Sequence, residues 1–465
     1  MKIVVLNGSP KGNISVTMQY VNFIQKNFPI HELKIIQISQ NIKKIEEDEK
    51  SFQEILEEIR SSGGVLWAFP VYYMLVHSHY KRFIEIISEK GAEHIFRDKY
   101  TALLTTSIHF YDHTAHNYMN AISDDLGMRY TGSFSAEMYD LLKDKERERL
   151  LLFAENFFES IENNIITSKN YTPLIHKSVD YIPDHTGIKI DDRDKKIVIV
   201  TDAEDSQINL VRMIERFKRS YLNHIEVINL HKIDIKAGCQ GCLSCGYNYQ
   251  CIYRDRDDYI EFYNTKIKTA DILIFAGQIK DRYLSSRWKL FFDRSFFNTH
   301  TPSLIGKQIG YIISGPLSQI PNLRQILDAY TEGQQANLVD FITDEYEDSA
   351  KIDALLQSLA KRVVRFADQN YIKSKTFLSI GGMKIFRDDI WGRLRFIFQA
   401  DHKFYKRHGI YDFPQKDIRT RISNAMMILL TKQPSFRKEF TKRIKTEMIK
   451  PLQKVLSCNY SANTE

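Results

Sequence analysis

The chain has 465 residues, 43% of them apolar and 26% charged, with only 20 glycines and 11 prolines. That balance excludes disordered, collagen-like and low-complexity chains, and the length predicts about three domains at roughly 150 residues each. The net charge of +7 is unevenly spread: residues 381–465 carry 18 Lys and Arg against 8 Asp and Glu, so the first 380 residues are slightly acidic. No apolar run approaches the ~18 residues of a membrane span, Ala425–Leu430 being the longest, and the opening MKIVVLNGSPKG is too short for a signal-peptide core. The expected location is the cytoplasm.

Taken in chain order, continuous apolar runs near residues 3–7, 33–38, 64–68, 100–106 and 131–135 predict strands buried on both faces. Amphipathic stretches separate them, and a last helix is expected near 145–164. Residues 166–194, with two prolines and mixed charge, read as a linker. The pattern then repeats and ends in a helix near 348–370. KIVVLNG at Lys2 pairs with KIVIVTD at Lys196, and KRFIE at Lys81 with KLFFD at Lys289. The offset grows from 194 to 208 between the second and third strands, so the second copy carries about 15 extra residues there. The expected fold is α/β: two tandem five-stranded parallel sheets of flavodoxin-like winding, with ligands beyond the strands' carboxyl ends. The expected domains are 1–165, a linker 166–194, 195–372, and a basic helical extension 373–465.

The first strand end reads NGSPKGNISVT, Asn7 to Thr17, between a buried strand and an amphipathic helix. Two glycines, several hydroxyls and a helix start form the outline of an anion cradle, although an ordinary capped turn uses the same residues. The third strand ends in AFPVYY, whose Pro70, Val71, Tyr72 and Tyr73 suit the wall of a planar ring or a core. The 15 extra residues of copy two hold AGCQGCLSCGYNYQC, with Cys239, Cys242, Cys245 and Cys251 at C-x2-C-x2-C-x5-C. Compact four-cysteine spacing fits a 4Fe-4S cluster better than zinc, which favours two separated pairs; free thiols are the plainest alternative. Cys458 stands alone and reads as incidental or structural. His109, His113 and His116 lack the rest of a metal ligand set, and His77 and His79 read as surface or core.

These motifs, GSP followed by Asn13 and Ser15 and then Pro-Val-Tyr, resemble the flavodoxin-like NAD(P)H-dependent FMN reductases, in particular the iron-sulfur flavoproteins, here as a tandem duplicate. The resemblance implies that Ser9, Lys11, Asn13, Ser15 and Thr17 hold the FMN phosphate. It implies that Pro70, Val71, Tyr72 and Tyr73 border the flavin ring, with a third loop at Thr105, Thr106, Ser107 and His109. It also implies Cys239, Cys242, Cys245 and Cys251 as cluster ligands. The chain departs from the family by splitting the motifs. Copy one lacks the cysteines, and copy two opens with TDAEDSQIN, where Asp202, Glu204 and Asp205 would repel a phosphate, so copy two is expected to bind no FMN.

The functional expectation is an oxidoreductase passing electrons between reduced FMN and a 4Fe-4S cluster. No GxGxxG fingerprint is present, so NAD(P)H would stack on the flavin as cosubstrate; a ferredoxin is the other possible donor. A cluster-free quinone or nitro reductase, with zinc or nothing between the cysteines, is the enzymatic alternative. A redox-sensing or nucleic-acid-binding protein acting through its basic tail is the other, and nucleic acid is the less expected partner. The resemblance implies a homo-oligomer. The amphipathic stretches of the extension, with Trp391, Phe396 and Phe398, read as packing or dimer contacts. Their charge would also suit a membrane surface.

Overall fold

The computed structural model describes residues 1–176, 180–184, 189–346, 348–412 and 418–456, which leaves Cys458 outside. Two compact units divide at Phe404 and Tyr405. The first contains both sheets.

In the first sheet, β1 (Lys2–Asn7), β2 (Glu32–Gln37), β3 (Gly64–Pro70), β4 (Tyr100–Ser107) and β5 (Arg129–Glu137) lie in the order β2-β1-β3-β4-β5, all parallel. The second repeats this with β6 (Ile197–Thr201), β7 (Glu226–Asn229), β8 (Ile272–Gln278), β9 (Gln308–Ser314) and β10 (Asn337–Thr343), ordered β7-β6-β8-β9-β10. Each expected strand is present, because apolar runs with no polar face are stable only when helices cover both sides.

Alternation along each strand divides its residues between two cores. Ile3 and Val5 pack outward with Met18 and Phe157 from the helices Val16–Asn27 and Asp144–Glu162. Val4 and Leu6 point inward, into a core that continues without a break to Val198, Val200 and Phe275 of the second sheet. The outer face of that sheet closes separately, with Ile197 and Ile199 against Leu210 and Leu359. The two copies therefore share their largest core.

The helices Ser78–Glu89 and Ser286–Ser295 meet across this shared core in a reciprocal arrangement. Asp293 of copy two accepts from the Ser78 backbone N–H at 2.7 Å, and Glu85 of copy one accepts from the Ser286 N–H at 2.6 Å. Each carboxylate also pairs within its own helix, Glu85 with Lys81 at 2.6 Å and Asp293 with Lys289. Lys81 reaches Asp281 as well, at 3.0 Å, while Lys289 donates to the Tyr72 carbonyl at 3.0 Å. Burial favours the neutral forms of all these groups. At Lys81 two carboxylates outweigh burial and raise its pKa, whereas at Lys289, facing one, burial prevails and lowers it. The equivalence of Ser78 with Ser286 and Lys81 with Lys289 makes this a two-fold contact inside one chain.

Replacing Asp293 by Ala leaves Lys289 buried without its carboxylate and is expected to cost about 3–5 kcal/mol. Urea denaturation, followed in both sheets, should show one shared transition moved to lower concentration. Separate transitions, or an unmoved midpoint, would contradict a common core.

Candidate functional site

Beyond the carboxyl end of β1 the chain turns sharply. Gly8 is required there, since a Cβ would lie 2.7 Å from that of Phe69. Asn7 Oδ1 accepts from the Ser9 N–H at 2.9 Å, and Ser9 Oγ from the Lys11 N–H at 3.2 Å. Gly12 adopts φ +58°. Ser15 then caps the helix Val16–Asn27 by accepting from the Met18 N–H. The first N–H groups of that helix have no intrahelical acceptors, so with Lys11 and the Ser9 hydroxyl they form a ready anion site.

The loop after β3 is under backbone strain. Tyr72 and Leu75 exchange backbone hydrogen bonds at 2.8 and 3.0 Å, with Tyr73 at φ +43° and Met74 at φ +66° between them. Two consecutive left-handed residues without a glycine cost free energy that surrounding contacts must offset, an arrangement concentrated at functional sites. Gln334 of copy two donates to Tyr73 Oη at 3.4 Å. Burial raises the Tyr73 pKa, so the phenol stays protonated.

These loops line a cavity of about 360 Å³, within the range of cofactor and small-molecule sites. Ser9, Lys11, Ser15, Thr17, Pro70, Val71, Tyr72, Tyr73, Thr106 and Ser107 are brought together in its wall. Three expected residues are not. Asn13 is exposed and accepts from Gln37 at 2.6 Å; Thr105 is buried against His116 at 2.7 Å; His109 is held by Asp112 at 2.9 Å. Thr105 alternates with Thr106 on the strand and therefore faces away from the Thr17 hydroxyl, which meets Thr106 at 2.6 Å. His113 stacks on Tyr111.

The remaining walls come from parts of the chain that sequence reasoning did not assign to the site. Copy two contributes Phe296, the segment Thr299–Pro302, Tyr330 and Gln334. The buried Tyr330 hydroxyl has no hydrogen-bond partner. The extension contributes the helix Phe377–Trp391 and the residues after it, with Leu378, Met383, Phe386, Arg393 and Phe398 facing the cavity. Tyr111 donates to the Leu378 carbonyl at 2.6 Å, and a Cβ on Gly382 would lie 2.5 Å from the Phe110 ring. The His300 ring lies 4.1 Å from that of Phe386, and Arg393 pairs with Glu137. The extension is thus a fitted cover over the first sheet's loops. Its only sequence signal was the aromatic content of IWGRLRFIF.

All four loop cysteines bound a second, smaller cavity with about 20 Å³ of free volume. Among the described residues no group of three or more His, Cys, Asp or Glu side chains is gathered closely enough to hold a metal ion. Burial pushes the Cys239 thiol up to about 12 and raises Cys245 and Cys251 as well. Arg294 also lines this cavity, and its buried Nε–H has no hydrogen-bond partner. Copy one anchors the loop. His77 Nε2 lies 3.0 Å from the Cys239 carbonyl, and His79 Nε2 accepts from the Gly238 N–H at 3.1 Å. The two histidines read as surface or core are thus contacts between the copies.

The two cavities share a wall, since Leu243 and Phe296 line both. Gly241, at φ +60°, lies so close to copy one that a Cβ would stand 2.3 Å from Tyr72 Oη and 3.0 Å from the Lys11 side chain. Copy two's own strand ends are filled differently. Asp202, the counterpart of Gly8, is buried and accepts from Ser285 Oγ and, at 2.9 Å, from Trp288 Nε1. Asp344 accepts from Ser314, the counterpart of Thr106, at 2.7 Å and from the Gly315 N–H at 2.8 Å. Asp344 thus occupies the groups whose counterparts in copy one, Thr106 and Ser107, face the large cavity.

Residues 1–138 match the family model described as NADPH-dependent FMN reductase. No curated protein matches the chain. Solved structures with similarity include the flavoenzyme NAD(P)H:(acceptor) oxidoreductase FerB from Paracoccus denitrificans, at 18% identity over 35% of this chain and 97% of that one, with a TM-score of 0.30. An FMN-dependent NADH-azoreductase from Bacillus anthracis, in complex with FMN, matches at 13% identity over 35% and 99%, with a TM-score of 0.26. The apo form of the NADH:FMN oxidoreductase EMOB matches at 18% over 34% and 89%, with a TM-score of 0.30.

Replacing Gly241 by Ala should force the cysteine loop off Tyr72, since the residue has both positive φ and no room for a Cβ. Alkylation of Cys239 in the metal-free protein is expected to accelerate by about tenfold, corresponding to a loop contact of about 1.4 kcal/mol. An unchanged rate would mean that the loop is held elsewhere.

Proposed function

Residues 1–138 belong to the NADPH-dependent FMN reductase family, and from that membership we propose that the large cavity takes FMN and that the four cysteines take a 4Fe-4S cluster in electronic contact with it. At the coarser level the chain is an FMN-dependent NAD(P)H oxidoreductase. When bound, FMN exchanges hydride with NAD(P)H and releases single electrons, the unit that a 4Fe-4S centre carries. One observation carries the pairing: the two cavities share Leu243 and Phe296, and Gly241 rests on Tyr72 and Lys11.

The residues suit these roles. Lys11, the Ser9, Ser15 and Thr17 hydroxyls, and the N-terminus of the helix Val16–Asn27 would hold the phosphate. Pro70–Tyr73 would flank the ring, and Tyr330 of copy two lines the same cavity. Residues 378–398 of the extension form one wall of this space. Around the cysteines, Arg294 supplies positive charge and an unused N–H suited to a sulfide. A cubane is larger than the free volume between the thiols, so loading requires the loop at exposed Cys242 to move outward. Residues 1–165 and 195–372 are read as the two domains, joined by 166–194, with 373–465 as the extension. The filled strand ends of copy two support one FMN per chain.

A second reading, a cluster-free NAD(P)H quinone or nitro reductase, is favoured by the separation of the four thiols. Anaerobic purification separates the two. The cluster reading expects about four irons and one FMN per chain, with Cys242→Ser removing iron while leaving FMN bound. Zinc, or no metal, in the wild-type protein would establish the cluster-free reading.

The phosphate site has its own test. Thr17→Asp places a carboxylate at the helix start and should weaken FMN binding by at least about a hundredfold, measured by quenching of flavin fluorescence, with the circular dichroism of the protein unchanged. Undiminished affinity would move the phosphate elsewhere.

A further inference from the structure

The second compact unit contains two helices, Ile418–Leu430 and Pro434–Leu456, whose exposed surfaces are both apolar and basic. Between residues 418 and 456 there are 10 Lys and Arg against 2 Asp and Glu, a net +8 in a chain whose total is +7. Both acids are engaged: Glu439 pairs with Arg443 at 2.8 Å, and Glu447 with Lys450. The remaining charge is nearly all positive.

Apolar side chains stand among these charges at helical spacing. On the first helix Ile418, Ile422, Met426 and Leu429 share a face and are all more than half exposed. On the second, Phe436, Phe440, Ile444, Met448, Leu452 and Leu456 recur every four residues. The first three are partly buried, whereas Met448 is 70%, Leu452 61% and Leu456 84% exposed. A water-facing helix does not need such residues, and a helix that only contacts phosphates does not use them. No helix among the described residues is long and apolar enough to cross a bilayer.

We propose that this helical pair docks the protein on an anionic lipid surface, with the second helix lying in the interfacial plane. Its 23 residues span about 35 Å, and in its last turns Met448, Leu452 and Leu456 share an exposed apolar face on a helix rich in Lys and Arg, a pattern that buries in the acyl boundary while pairing with lipid phosphates. The exposed apolar side chains favour lipid over nucleic acid, and the excess of positive charge favours lipid over a second copy of the same basic surface. The inference does not depend on the flavin or the cysteines.

The test uses the full chain and vesicles of phosphatidylcholine, alone or with 30% phosphatidylglycerol. Flotation should recover the protein with the anionic vesicles at least about tenfold better than with the neutral ones, and less at 0.5 M salt. The exposed-site double variant Met448→Ser/Leu452→Ser should lose about tenfold in partitioning while keeping its circular dichroism, and Lys438→Glu/Lys442→Glu should lose at least as much. Failure to float with anionic vesicles overturns the proposal. So does partitioning that ignores the Met448 and Leu452 changes, or binding to a short RNA at equal or greater strength. Concentration-dependent dimerisation abolished by the apolar variant, without vesicle binding, would make a second copy the occupant instead.

Discussion

Two buried carboxylates, Glu85 and Asp293, hold copy one of this protein to copy two. Each accepts a backbone N–H from the first turn of the opposing helix while neutralising a lysine of its own. Acidic groups are favoured at helix N-termini, and here each of the two helices supplies the carboxylate for the other. Buried ion pairs add little net stability compared with apolar packing, but removing one partner is costly, so this contact disfavours any docking that would leave a lysine or carboxylate unpaired. The observed docking brings His77 and His79 to the backbone of Gly238 and Cys239, and Tyr72 to Gly241. The proximity of the two cavities is a consequence of helix docking.

The copies have diverged by what fills the ends of their strands. Copy one keeps Gly8, where the backbone must pass close to Phe69 and Tyr80, and leaves its loops facing open space. Copy two places Asp202 at the corresponding position, and the carboxylate is consumed by Ser285 and Trp288. Copy two gives Phe296, Tyr330 and Gln334 to the wall of copy one's cavity and carries the cysteine loop beside it.

The cover completes this division. Gly382 seats on Phe110, Tyr111 donates to Leu378, and Gly246 of the cysteine loop lies so near the Ile397 carbonyl that a Cβ there would stand 2.3 Å away. The stretch of the extension that lines the large cavity thus also packs against the cysteine loop. The strained turn at Tyr73 and Met74 lies beneath it, and the hydrogen bond from Gln334 to Tyr73 is one of the contacts that hold it.

Both sheets and the approximate places of their strands were legible in the sequence, because runs such as IVVL and ILIFA are stable only when buried on both faces. The sharp turn after β1, the Pro70–Tyr73 segment and the cysteine spacing were legible as well, since each depends on residue types at short separations. The roles of His77, His79, Arg294 and Tyr330 were not, and neither was the displacement of Asn13, Thr105 and His109 from the cavity wall. His77 and His79 depend on partners 162 and 159 residues away and Thr105 on which strand face it occupies, and local pattern carries no record of either. By itself the sequence determined two βαβ sheets and the chemistry available at their ends. Only tertiary structure decided that one sheet's loops would line a cavity, that Asp202 and Asp344 would be paired at the other's strand ends, and that residues 378–398 would join the wall of the first, because buried polar groups must find partners wherever the chain can supply them.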